Sequence, residues 1–362
     1  MIPFFGVARQ YQTLRQEILD ITDTVLTTGQ VLDGAYTQKF EQYMAQRCGR
    51  KYAVAVNSGT QALVFAQQAL GLRDKRIMIP GISFVATLNS VIVAGNTPVF
   101  CDTDSQALLD IESIDYALNG QIDAIMYVNI FGNCVDYDRL TNVAKFFNED
   151  IQIIEDAAQS FGASYHGRPS GSLGDISILS FDPTKNLPNY GSGGMLLTDD
   201  YSTYTACLDL RNNGKHRNHD FAGTNSKMSE VDCAQMLVKL KYFDSWQARR
   251  KQIADYYTDQ LCTYIDVPLV EDHIEHAWHK YVIRINERHS LQAALTDQGI
   301  ETKIHYQQPL FEYASGWDYI DYSQDIMRES MAFTSDCLSL PIYPEMTDSE
   351  VDYVVSTIRK WQ

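Results

Sequence analysis

Ile153-Ile-Glu-Asp-Ala-Ala-Gln-Ser-Phe161 reads as an apolar strand that ends in a carboxylate, Asp156. Open α/β sheets collect ligands at the carboxyl ends of their buried strands, which is where this residue stands. A Gly-rich stretch and a second apolar strand lead into Ser180-Phe-Asp-Pro-Thr-Lys-Asn186, where a single lysine, Lys185, sits in a polar turn. On either side of these segments, short runs rich in β-branched or aromatic residues recur at 52–56, 76–79, 97–101, 124–130, 151–155, 176–181 and 195–198. Helical stretches separate the first five. This alternation predicts an α/β fold, a mainly parallel seven-stranded sheet covered by helices on both faces. The last three strands follow with little helix between them, which points to one antiparallel member.

Ahead of the sheet, Tyr11, Leu14, Ile18, Ile21 and Val25 fall at helical spacing, and a second helical pattern runs to Cys48. Beyond Asp232 the character changes. One long, highly charged helical pattern covers 231–261, followed by an alternating strand (278–285), a helix (291–298), another strand (301–306) and a helix from Asp348. Residues 1–238 are therefore expected to form a large α/β domain. Residues 239–362 form a smaller C-terminal α+β domain, with the boundary inside the long helix.

The 362 residues, 45% of them apolar, suffice for cores in both domains. With 29 basic against 46 acidic residues the formal charge is −17, which argues against nucleic acid as a general partner. The seven cysteines are scattered, odd in number and never spaced as CxxC, so they read as reduced thiols. Met1-Ile-Pro-Phe-Phe5 lacks the basic start of a signal peptide, and no apolar run approaches the ~20 residues that span a bilayer. A soluble, cytoplasmic protein with no membrane partner is the expectation.

Alone, Asp156 reads as a cap for the next helix and Lys185 as a solvated surface lysine. Together they fit pyridoxal 5′-phosphate (PLP) chemistry. That cofactor is held by a lysine as a Schiff base, and an acidic partner keeps its ring nitrogen protonated so that the ring takes up electrons. Strand-like alternation puts Ala158 on the side of Asp156, where a methyl supports a flat ring. Asn57-Ser-Gly-Thr60 joins a strand to a helix, and the free amides at Gly59 and Thr60 make a phosphate seat to which Ser180 adds a hydroxyl. Phe84 is a candidate to stack on the ring. GxGxxG after the first strand, GxxxxGK[ST] and HExxH are all missing, and His276 and His279 have no companions at metal-ligand spacing. No metal site is predicted.

These motifs together resemble the DegT/DnrJ/EryC1/StrS family, PLP-dependent nucleotide-sugar aminotransferases of the aspartate aminotransferase fold (fold type I). The similarity includes Ile2-Pro-Phe4, Asn57-Ser-Gly-Thr-Gln-Ala-Leu63, Gly95-Asn-Thr-Pro-Val-Phe-Cys-Asp102 and Glu155-Asp-Ala-Ala-Gln159. It continues through Ser180–Asn186, Gly223-Thr-Asn-Ser-Lys-Met228, His305-Tyr306 and Ser339-Leu-Pro-Ile-Tyr-Pro344. The resemblance implies that Lys185 carries the cofactor and Asp156 holds its ring nitrogen. It implies Gln159 near the phenolic oxygen, Gly59, Thr60 and Ser180 at the phosphate, and Phe84 on the ring. Asn225 matches an asparagine donated across a homodimer interface to the phosphate.

The implied reaction moves an amino group from L-glutamate to a keto group of a nucleotide-linked, in some members deoxy, sugar. Asn225-Ser226 resembles members acting at C3 rather than C4. Related sugar dehydratases replace the lysine with His, and a non-catalytic sugar-binding or regulatory relative would lack the Asp–Lys pair. This chain has both residues. It departs from the family at Lys227, where Arg is usual, at Ser192, where Asp is common, and at Pro188-Asn-Tyr190. These departures bear on substrate identity more than on reaction type.

Overall fold

In the computed structural model of the chain, residues 1–114, 122–320 and 327–361 are described. The strands, in chain order, are β1 (Tyr52–Val56), β2 (Arg76–Pro80), β3 (Thr97–Cys101), β4 (Ala124–Val128) and β5 (Gln152–Asp156). A short hairpin of β6 (Ser164–Tyr165) and β7 (Arg168–Pro169) follows, then β8 (Ile176–Ser180) and β9 (Gly194–Thr198). The seven-stranded sheet has the order β1-β9-β8-β5-β4-β2-β3. β9 runs antiparallel to both β1 and β8, and the remaining pairings are parallel. β9 is thus the antiparallel member that the scarcity of helix before it announces.

The strands are mostly apolar because both faces are covered. Met78, Ile125, Tyr127 and Ile153 pack on one side, and Ile77, Ile79, Ala124, Met126 and Ile154 on the other. Each large side chain so buried is worth about 1.5–3 kcal/mol. β5 and β8 run parallel, so Asp156 and Ser180 both stand at the carboxyl end of the sheet.

The long helix expected over 231–261 is two helices, Glu230–Leu240 and Phe243–Leu261, parted at Lys241-Tyr242. The first packs Met236 and Leu240 against the large sheet with Phe40 and Phe181. The second starts there with Phe243 and then turns Ile253, Ala254, Tyr257 and Leu261 into a separate C-terminal core. One straight rod does not reach both cores, and neither Gly nor Pro marks the bend.

In the C-terminal part β10 (Ile274–Glu275) pairs with β6, and β11 (Tyr281–Arg284) pairs antiparallel with β12 (Cys337–Leu340). The strand expected at 301–306 is absent. That segment meets Ser339 through a backbone bridge at Lys303 and the His305 ring at 2.8 Å, and Tyr306 then turns inward to meet Gln159. The helices Arg288–Asp297 and Asp348–Trp361 close this core. Among the described residues no helix is long and apolar enough to cross a membrane.

Candidate active site

A cavity of about 380 Å³ opens at the carboxyl ends of β5 and β8. Gly59, Thr60, Phe84, Asp156, Ala158, Gln159, Ser180 and Lys185 all line it. Asn225 does not; it forms an isolated bridge with Asn212. Ser192 lines the cavity, whereas Lys227 donates to Asn212 Oδ1 at 2.8 Å.

Asp156 is 3% exposed. Its Oδ1 accepts from the Ala158 amide at 3.1 Å and its Oδ2 from Thr87 Oγ1 at 3.1 Å. Thr87 is held in turn by Ser83 at 2.8 Å. Burial pushes the carboxyl of Asp156 up, and the Ala158 amide, Lys185 and Thr87 oppose that shift. Lys185 mirrors it: burial pushes its ammonium down, and the charges of Asp156 and Asp182 oppose. Each group thus supports the other's charge in a place that resists both.

The turn that carries Lys185 is fixed locally. Its amide donates to the Asp182 carbonyl at 2.9 Å, and the Asp182 carboxylate accepts from the Thr184 amide and hydroxyl at 3.0 and 2.7 Å. Asn186 anchors the far side by donating to the Ala277 carbonyl at 2.6 Å.

Opposite, the helix Gly59–Ala69 starts at the cavity wall, with Ser58 capping it through the Gln61 amide at 3.1 Å. A Cβ on Gly59 would lie 2.8 Å from Ser180 Cβ, so glycine is what lets this amide end approach the Ser180 hydroxyl. The result is an anion seat of free amides with a hydroxyl beside it. Gln159 is buried; its Oε1 accepts from the Phe131 amide at 3.1 Å and its Nε2 donates to Tyr306 Oη at 3.1 Å. Phe84 is 53% exposed over the cavity, so it is not a core residue of this chain.

Sequence reasoning missed Thr87, Phe5, His279, Lys280 and Lys303, all of which line the cavity. The one available signal was a charged residue, Lys280, abutting a strand-like apolar run. His279 and His305 are held neutral by burial. Among the described residues no group of three or more His, Cys, Asp or Glu is arranged to hold a metal.

Comparison with known proteins agrees with this geometry. The model of the DegT/DnrJ/EryC1/StrS aminotransferase family matches residues 12–359. The dTDP-3-amino-3,6-dideoxy-alpha-D-galactopyranose transaminase of Aneurinibacillus thermoaerophilus is 34% identical, over 100% of this chain and 99% of its own. Among solved structures, S. venezuelae DesV in complex with a ketimine intermediate superposes with a TM-score of 0.95 at 30% identity, covering 99% of this chain and 98% of that one. NtdA from Bacillus subtilis with bound cofactor PMP gives a TM-score of 0.90 at 27% identity, over 99% of this chain and 85% of that one.

Proposed function

The chain belongs to the DegT/DnrJ/EryC1/StrS aminotransferase family, and from that premise we propose that its cavity holds pyridoxal 5′-phosphate and transfers an amino group from L-glutamate to the C3 keto group of a nucleotide-linked sugar. The observation that carries this reading is the facing of Asp156 and Lys185 in one cavity, each with its pKa moved toward neutrality. The residues fit the cofactor. Gly59 leaves no room for a Cβ between the helix amides and Ser180, which suits a phosphate, and the buried Asp156 suits a protonated ring nitrogen.

When bound, the cofactor supplies a ring that draws electron density from the reacting carbon. The chain's own residues do the rest. Asp156, oriented by Thr87 and the Ala158 amide, would set a negative charge against the ring nitrogen. The amides of Gly59 and Thr60 and the Ser180 hydroxyl would hold the phosphate, Ala158 and Phe84 would flank the ring, and Gln159 would stand near its phenolic oxygen. Lys185 would tether the cofactor, and its free amine is placed to take the donor's α-proton as general base and to return it at the neighbouring carbon. The lowered pKa of Lys185 suits that task. On the keto-sugar the same amine would return a proton to the carbon that receives the amino group.

The same reading includes a homodimer with shared sites. Asn225 lies outside its own chain's cavity and Phe84 is exposed over it, as suits an Asn225 reaching the partner's phosphate seat. The cavity draws on both proposed domains, 1–238 and 239–362. Amination at C3 is supported by Asn225-Ser226 and by the relative named for a 3-amino sugar.

The test is the visible absorption of the PLP-loaded protein, which L-glutamate should bleach, and turnover of paired 3-keto and 4-keto substrates. Lys185→Ala should abolish transamination. Substantial residual turnover by that variant would sink the mechanism, and exclusive use of the 4-keto isomer would overturn the C3 assignment.

A further inference from the structure

Two cations in the cavity have no part in the chemistry above. Lys280, just ahead of β11, is 5% exposed, and Lys303 stands at the rim. Both ammonium groups lie over the ring of Phe5, at 4.3 and 4.7 Å from its centroid, and over Phe4 at 5.1 and 5.5 Å. The two rings meet edge to face at 4.8 Å. Their backbone is tied down: the Ile2 amide donates to the Gly299 carbonyl at 2.8 Å and the Phe4 amide to Glu301 Oε2 at 2.9 Å. The N-terminal segment is thereby a fixed aromatic wedge that spaces the two lysines and holds their tips toward the cavity.

Among the described residues neither ammonium has a hydrogen-bond or ion-pair partner. Glu301 is engaged by Phe4, and Asp182 by Thr184. Burial, foremost, pushes the Lys280 amine's pKa down, the charges of Lys185, Arg250 and Lys303 push the same way, and Asp182 opposes. In a chain of net charge −17, a buried amine without a hydrogen-bond or ion-pair partner is a site whose charge is restored by an anionic ligand.

We propose that Lys280 and Lys303, spaced by Phe5, form a carboxylate subsite for the distal acid group of a dicarboxylic amino donor. This rests on the aminotransferase reading of the cavity. The position of Lys280 favours the donor over the nucleotide's diphosphate. Lys280 is buried and close enough to Lys185 for their charges to repel, so it serves a group a few bonds from the reacting carbon. A diphosphate lies a whole sugar ring away. The subsite therefore selects the donor, and it gives L-glutamate its advantage over L-glutamine, the uncharged isostere.

The test uses the PLP-loaded protein and its Lys280→Met and Lys303→Met variants. Single-turnover bleaching is followed with L-glutamate and with L-glutamine, and glutarate binding is measured by titration calorimetry. Loss of one charge-assisted contact should weaken L-glutamate and glutarate by about 10- to 100-fold while leaving L-glutamine unchanged. Should Lys280→Met fail to fold by circular dichroism, the exposed Lys303→Met decides. Glutarate that does not bind the parent protein, or binds all three proteins equally, overturns the subsite. So does a glutamate preference that survives both substitutions. Variants that lose uridine diphosphate binding but keep glutarate would assign the lysines to the nucleotide and overturn the donor assignment. A parent protein bleached by no amino acid refutes the aminotransferase reading instead, and glutarate binding still reports on the subsite.

Discussion

Glu155 and Asp156 are neighbours on one strand, and they lead opposite lives. Glu155, 0% exposed, accepts from the amides of Gly171 and Leu173, the hydroxyls of Ser170 and Ser177 and the Asn129 amide, all within 3.0 Å. Arg50 braces the same loop, donating to the carbonyls of Gly171, Leu173 and Gly174 and to Ser177. Asp156, on the opposite face, has two donors and a cavity. A saturated buried carboxylate holds a fold together. One left with lone pairs facing open space holds something that arrives later.

The sharpest way to break this contrast is to exchange each acid for its amide. Asp156→Asn should lower turnover on the order of 10²–10⁴-fold, the range for a group acting on a proton in the transition state. Its melting point should change little, because it removes a charge that burial disfavours. A variant within tenfold of the parent would remove Asp156 from the chemistry. Glu155→Gln should do the reverse. Its new amide hydrogens face donors that already point inward, and stability should fall by about 2–4 kcal/mol while the folded fraction keeps its turnover. Urea unfolding and steady-state kinetics on both variants read the two axes separately.

Nothing in the composition of the two residues separates them; position in the strand and the resemblance of the surrounding motif do. The sheet was legible because strands buried on both faces must be largely apolar, and the order of helices limits how they pair. The residues along β5 and β8 were legible for the same reason, since strand ends fix neighbours. What stayed hidden depends on segments far apart in sequence. Lys280 and Lys303 gain their setting only when Phe5 folds against them, and Thr87 only when its helix faces β5. The break at Lys241-Tyr242 answers to two cores rather than to any local residue. Asn225 was read from resemblance, and a single chain leaves it outside its own cavity.

The backbone on the other side of the cavity sharpens the comparison at a smaller scale. Gly59→Ala adds a methyl 2.8 Å from Ser180 Cβ, so the helix end or the β8 terminus must shift. Overpacking of this kind typically costs about 1–3 kcal/mol. The loss should appear mainly as weaker cofactor retention, about tenfold or more in PLP affinity by fluorescence titration. An Ala variant that binds PLP as the parent does would remove the helix end from the phosphate seat.

A carboxylate that is neither saturated in the core nor open to the cavity supplies the baseline. Glu350 receives both Arg9 guanidinium nitrogens, at 2.6 and 2.7 Å, and the Thr347 amide at 2.9 Å, tying the first helix to the last. The Arg9 contact, foremost, draws its carboxyl down to about 2. Because the folded value lies below the ordinary one of 4.5, the stabilisation is complete above pH 4.5 and fades as the pH falls toward 2. The pair is partly exposed, at 32% and 20%, so water and salt screen it. Glu350→Gln should cost only about 0.5–1 kcal/mol at pH 7. That difference should shrink in 1 M salt and vanish as the pH approaches 2, with turnover at neutral pH untouched. A penalty that persists unchanged into acid would mean that packing of the helix ends, and not charge, does the joining. Glu155 would then owe its larger effect to burial alone rather than to the donors around it.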